Sequence, residues 1–165
     1  MWWRMTGPEF TRRAGAGTKR ALKKVTRTRP PGLIAYDGRR PVGWCSVAPR
    51  NEFMPRLERW TPFRRASDVL LSDRTPPVWS VVCFYIDREY RGRGAAAALL
   101  REAIRYAARH GAAILEAYPV DPAERAVTPL SAFVGTVPLF RRAGFREVVR
   151  AYPGRPIMRR RIRRA

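Results

Sequence analysis

Val81-Val82-Cys83-Phe84-Tyr85-Ile86-Asp87-Arg88-Glu89-Tyr90-Arg91-Gly92-Arg93-Gly94-Ala95-Ala96 carries an apolar run through a glycine-bearing turn into a helix. That order builds an anion site, because the first amides of a helix have no carbonyl of their own helix to reach and point at whatever lies ahead. Gly92 and Gly94 allow positive φ and close backbone approach. Arg91 and Arg93 add charge where the helix dipole already favours phosphate. The helix follows from periodicity: Ala96, Leu99, Leu100, Ala103, Ile104, Ala107 and Ala108 recur at three- and four-residue spacing, with Arg101, Glu102, Arg105 and Arg109 on the other face. Gly111 is the expected stop, and His110, the single histidine, reads as a residue of the last turn rather than a catalytic base.

Three kinds of nucleotide site share such a turn. An ATP or GTP P-loop is excluded, since no Gly-Lys-Ser or Gly-Lys-Thr follows. Gly92-x-Gly94-x-x-Ala97 has the spacing of a dinucleotide fingerprint, with Glu116 where a ribose-binding acid would stand. Against an NAD(P)-binding enzyme, Asp87 to Arg91 separate Ile86 from the first glycine, and the further βαβ units of a doubly wound sheet are missing. Arg91-x-x-Gly94-x-Ala96, five residues past Ile86, resembles the acetyl-CoA motif of the GNAT N-acetyltransferase superfamily. Leu139-Phe140-Arg141-Arg142-Ala143-Gly144-Phe145 is similar to that family's late helix, with Phe145 to Val149 as the strand after it. The resemblance spans roughly residues 32 to 160. A subgroup is similar in Trp44-Cys45, Cys83-Phe84, Tyr118-Pro119-Val120-Asp121 and Val134-Gly135-Thr136.

The resemblance implies an α/β fold of the α+β kind: a mixed, mostly antiparallel sheet with a splayed parallel pair at its centre and flanking helices. It implies acetyl-CoA as co-substrate. Its pyrophosphate would lie on Arg91, Gly92, Arg93, Gly94, Ala95 and Ala96, and its pantetheine arm along Phe84, Tyr85 and Ile86, with Phe140 also at the cofactor. An amide of that strand would polarise the thioester carbonyl, and a neutral amine would attack it directly. Two positions depart from the family pattern. Ser80 stands where a glutamate base is common, and Phe140 where a tyrosine acid is common. Glu116 is the expected base, acting through one water, and Tyr118 or Tyr85 the expected acid. The alternatives are a salt bridge for Glu116 and core packing for the tyrosines. Cys83 as an acyl carrier is disfavoured, because no histidine is near it in sequence to activate it. No metal site is expected.

At 165 residues the chain is long enough for one domain with a substantial core. The expected division is a basic segment over 1–31 and a GNAT-like domain over 32–165. Residues 1–31 end in Thr28-Arg29-Pro30-Pro31, which should break any helix around Lys19 to Val25; Met1 to Phe10 is read as an abbreviated first strand, unless part of the domain precedes it. Asp37-Gly38 between Gly32–Tyr36 and Pro41–Val47 predicts a hairpin. Residues 49–77 read as a loop with at most a short helix, whose Phe53, Trp60 or Phe63 either wall the acceptor pocket or patch the core. Ala112 to Tyr118 should return parallel to the central strand, and Tyr152-Pro153-Gly154 should turn the final strand pair.

The formal net charge of +21, from 34 Lys plus Arg, admits two readings. It gives CoA phosphates a positive field, or it binds nucleic acid through Lys19-Arg20, Lys23-Lys24 and the run Arg159 to Arg164. Dispersal of the basic residues favours the first, so nucleic acid is a possible partner and not the preferred one. No apolar run is long enough to span a bilayer, no secretory leader is evident, and Cys45 and Cys83 read as reduced core thiols; a cytoplasmic protein is expected. The resemblance implies an acceptor amine on a small molecule or a peptide, and a homodimer paired through the edge of the C-terminal strands is expected as a possible assembly.

Overall fold

A six-stranded sheet organises the computed structural model, which describes residues 1–71 and 76–162. Its strands are β1 (Leu33–Asp37), β2 (Arg40–Pro49), β3 (Val78–Ile86), β4 (Ile114–Ala117), β5 (Arg146–Val149) and β6 (Ile157–Arg161). They lie in the order β1-β2-β3-β4-β6-β5. β3 and β4 run parallel at the centre, and the other named pairs are antiparallel. The sheet is thus the mixed, mostly antiparallel one expected. The β1–β2 hairpin turns at Gly38, and β5 and β6 are joined through Gly154; both glycines have positive φ.

Helices cover both faces: α1 (Gly7–Thr28), α2 (Met54–Leu57), α3 (Thr61–Arg64), α4 (Ser67–Leu70), α5 (Ala95–Arg109), α6 (Pro129–Ala132) and α7 (Val137–Arg142). The stripe read in α5 is its buried face, with Leu99, Leu100, Ala103 and Ala107 packed on Cys45, Val47, Val81, Leu115 and Met158. His110 ends α5, its Nδ1 2.8 Å from the Tyr106 carbonyl oxygen. The opposite face of the sheet is covered by Trp3, Phe53, Leu57, Phe63 and Leu70 around Tyr118.

Two expectations need correction. Met1 to Phe10 forms no strand: Trp2–Arg4 is a 3-10 turn and α1 begins at Gly7, capped by the Thr6 hydroxyl accepting from the Glu9 N–H. α1 bends at Ala14 and Gly15, buries none of its residues, and stops at Thr28, ahead of the proline pair. Residues 49–71 hold a 3-10 turn and three short helices rather than a loop. Pro55 and Pro62 sit in the first turns of α2 and α3, where a missing N–H costs nothing, so the prolines that suggested irregular chain instead start helices. Phe53 and Phe63 are core residues, while Trp60 remains half-buried. The stretch read as loop also includes 72–75, outside the described residues.

Candidate active site

β3 and β4 pair only from Val78 with Ile114 to Val81 with Ala117. β4 then ends, β3 runs on to Ile86, and the two separate. A β-bulge sharpens the divergence: Ser46 faces Cys83 and Val47 faces Val81, so Val82 is an extra residue in β3. Val81 and Phe84 consequently pack toward α5, while Val82 and Cys83 both meet the opposite core. Alternation gave no hint of this bulge, because the run 81–86 is apolar at nearly every position.

The gap holds a cavity of about 480 Å³. One wall is Phe84, Tyr85, Ile86, Arg91 and Ala96, and the other is Ala132, Phe133, Gly135, Thr136 and Leu139. The Phe84 N–H faces into the gap and donates to the Phe133 carbonyl at 2.6 Å. Alternation turns Tyr85's backbone toward β2 and Ile86's toward the gap, where the Ile86 carbonyl accepts from Arg91 Nε at 3.0 Å. Of the three backbone positions expected to meet the pantetheine arm, Phe84 and Ile86 face the cavity; Tyr85 lines it through an exposed side chain.

Gly94 is the N-cap of α5 at φ 83°, with no side-chain cap. The first intrahelical bond runs from the Ala98 N–H to the Gly94 carbonyl, leaving the amides of Ala95, Ala96 and Ala97 without a helical partner. Gly92, also at positive φ, Arg93 and Gly94 are exposed around these amides. The predicted anion-binding group is therefore contiguous, at the end of the cavity where Arg91 and Ala96 stand. Phe140 is different. It is fully buried against Phe84 and Phe145, and its neighbour Leu139 is the α7 residue that reaches the cavity.

Of the residues expected to move protons, Glu116 and Tyr118 are brought together in the core, away from the cavity that Tyr85 lines. Glu116 is completely buried; one carboxylate oxygen accepts from Tyr118 at 2.6 Å and the other from Arg159 at 2.7 Å, with Arg50 at 3.4 Å. The salt bridge alternative is the arrangement present, and neither oxygen faces the cavity. Tyr118 is buried as well, 2.9 Å from Ser80 Oγ, and burial followed by the Glu116 charge pushes its phenol well above the usual 10. Cys83 is half-buried, with a thiol raised by burial, which disfavours the thiolate an acyl carrier needs. Part of the C-terminal basic run is structural too. Arg159 serves Glu116 and Arg160 donates to the Ala143 carbonyl, while Arg163 and Arg164 lie outside the described residues.

A second cavity, of about 330 Å³, adjoins the first at Phe133, which lines both. It is walled by Trp2, Trp3, Arg56, Arg59, Trp60, Val134 and Arg155. Its floor is aromatic: Trp3 stacks on Tyr118 at 6.2 Å and Trp60 meets the same ring edge-on at 5.6 Å. Of the wall residues, Trp60 and Val134 are named in the sequence analysis; Trp2-Trp3-Arg4 and Arg56-Leu57-Glu58-Arg59-Trp60, which set tryptophan close to arginine, carried the available signal. The segments Tyr118–Asp121 and Val134–Thr136 meet here, with the Val120 N–H donating to the Gly135 carbonyl at 3.0 Å.

Comparison with known proteins agrees with this fold. Ribosomal-protein-alanine N-acetyltransferase from Brucella melitensis superposes with a TM-score of 0.54 at 21% identity, over 87% of this chain and 76% of that one. An N-acetyltransferase from Staphylococcus aureus Mu50 gives 0.56 at 15% identity, over 89% and 76%. A GNAT superfamily phosphinothricin acetyltransferase from Sinorhizobium meliloti, in complex with AcCoA, gives 0.54 at 18%, over 90% and 70%. These likenesses establish the fold. No curated protein matches the sequence. The model of the acetyltransferase (GNAT) family matches residues 2–145, most of the chain. The chain therefore belongs to the acetyltransferase (GNAT) family.

Proposed function

We propose that this protein transfers the acetyl group of acetyl-CoA to the nitrogen of an amine by direct attack on the thioester. The observation that carries the reading is the set of amides at Ala95–Ala97 without a helical partner, placed with Arg91 at the end of a cavity walled by the half of β3 that has parted from β4. Those amides and the helix dipole suit the pyrophosphate. The gap-facing backbone groups of Phe84 and Ile86 suit the amide-rich pantetheine arm, and the Phe84 N–H is the donor placed to stabilise a developing oxyanion.

In the reaction the amine nitrogen forms a bond to the acetyl carbon, the carbon–sulfur bond breaks, and the thiolate leaves. The proton lost by the nitrogen passes to solvent. Among the described residues no Asp, Glu, His or Lys lines the cavity, so holding the two substrates together supplies most of the acceleration, a contribution that can reach ~7–11 kcal/mol with good alignment. Tyr85, exposed at the cavity wall, is the residue proposed to protonate the departing sulfur. Glu116 and Tyr118 support the fold instead. Reduced Cys45 and Cys83 suit a cytoplasmic setting.

The test is a thermal-shift titration with acetyl-CoA followed by amine-dependent thiol release. A rise in Tm with turnover is expected, because a ligand bound only by the folded state stabilises it. A rise without turnover on any amine would assign CoA binding without transfer. No rise with any acyl-CoA would overturn the reading.

A further inference from the structure

Half-buried arginines elsewhere in this protein have partners. Arg4 holds Glu52, Arg50 and Arg159 share Glu116, Arg150 gathers Asp121, Glu124 and Glu147, and Arg160 donates to a backbone carbonyl. Arg56 and Arg155 are the exceptions. Each is half-buried, neither has a carboxylate within 4.0 Å among the described residues, and both line the cavity beyond Phe133. Chance placement in a basic protein does not account for the pattern, since the other described arginines without a protein partner are exposed.

From this we infer that the second cavity takes the acceptor, and that the acceptor is a small amine carrying a carboxylate or phosphate. The inference rests on the acetyl-transfer reading above. A guanidinium withdrawn from water without a counter-charge is unfavourable, and an anionic guest relieves it. The Arg56 guanidinium lies 3.4 Å over the Trp2 ring, which fixes its plane without neutralising it. Arg155 has Arg125 as its charged neighbour, and burial followed by that like charge lowers its pKa. Arg59 adds a third cation at the rim, and no Asp or Glu among the described residues lines the cavity. Planar guanidiniums match carboxylate and phosphate oxygens two at a time. Trp3, also in the wall, has a buried indole N–H with no acceptor among the described residues.

The same field answers a chemical need. An amine must attack as the neutral base, and cations around it disfavour its ammonium form. A site without a protein base thus gains from a positive wall, while a polyamine, with nothing to offset its charges, is repelled.

The experiment compares thiol release from acetyl-CoA with glutamate, O-phosphoethanolamine, ethanolamine and spermidine, using the full-length protein. The anionic amines are expected to exceed the neutral and cationic ones in kcat/KM by about tenfold or more, and the better of glutamate and O-phosphoethanolamine distinguishes carboxylate from phosphate. Arg155→Gln and the exposed Arg59→Gln should each raise KM for the anionic amine with acetyl-CoA affinity unchanged, and Arg155→Glu should move the preference toward spermidine. Arg12→Gln, on α1, removes the same charge and should change nothing. Equal or better use of spermidine, or no turnover of either anionic amine while acetyl-CoA still raises Tm, overturns this inference and leaves acetyl-CoA binding standing. No rise in Tm with acetyl-CoA removes the underlying reading instead.

Discussion

The Phe84 N–H donates to the Phe133 carbonyl at 2.6 Å, across the gap where β3 and β4 have parted. Phe133 also lines both cavities, so one residue caps the strand amide best placed to meet a thioester and stands between the two proposed substrates. Acetyl-CoA can use that amide only if the Phe133 carbonyl withdraws. Hydrogen exchange in peptides spanning 131–136 should therefore quicken, and that of β3 should slow, when acetyl-CoA binds. Unchanged protection in both would mean that the arm does not take the Phe84 N–H.

Ala96→Asp should separate binding from stability. A carboxylate in the first turn of α5 interacts favourably with the helix dipole, adding about 0.5 kcal/mol to folding. The same carboxylate would occupy the amides and repel the pyrophosphate, weakening acetyl-CoA by about tenfold or more. Denaturation and calorimetric titration of the one variant check both signs.

Glu116→Gln should unfold the protein more readily without abolishing transfer by the folded fraction. Removing the charge leaves Arg159 and Arg50 facing each other in a buried site, a loss of about 3 kcal/mol by the usual cost of breaking such pairs. Loss of kcat in a variant still fully folded at the assay temperature would restore Glu116 to the chemistry.

Gly135→Ala should cost about 3 kcal/mol, from backbone strain and overpacking together. Its φ is 79°, and a Cβ there would stand 2.8 Å from the Phe140 ring and 3.4 Å from the Phe84 ring. Urea denaturation measures the loss. A near-neutral result would mean that the 133–136 segment shifts freely.

Acid should loosen the β5–β6 corner. Arg150 bonds hold the Glu147 carboxyl below its ordinary 4.5. Asp121, despite the opposing effect of burial, is held below 3.8 by the Ala123 N–H and Arg150. A depressed folded pKa gives stability that is present above the ordinary value and lost as pH falls through the folded one. Tm should therefore hold from pH 7 to about 5 and decline below the ordinary carboxylate range. In Arg150→Gln that acid limb should flatten.

Local signals in the sequence were sufficient for the hairpin, for α5 and for the glycine turn that opens it. Asp37-Gly38, the three- and four-residue apolar stripe and the two glycines each specify conformation within a few residues. The resemblance carried by Arg91, Gly94 and the late Ala143-Gly144-Phe145 extended this to a splayed parallel pair. Residues 49–71 were harder to read, since a proline that opens a short helix and one that breaks a strand look alike without their neighbours.

Side-chain roles at the proposed site needed the tertiary structure. Glu116 occupies the strand position the sequence assigned it, opposite Ser80, yet Arg50 and Arg159, 66 and 43 residues away, fix it as a buried ion pair. Phe133 and Trp3 entered no prediction, because what distinguishes them is contact across the chain. From Arg91 to Ala96 the local sequence specified the glycine turn and the free helix amides behind it, since both are properties of a few adjacent residues. Which carboxylate faces a cavity and which arginine lacks a partner were decided only by folding, because burial and pairing depend on residues far apart in sequence.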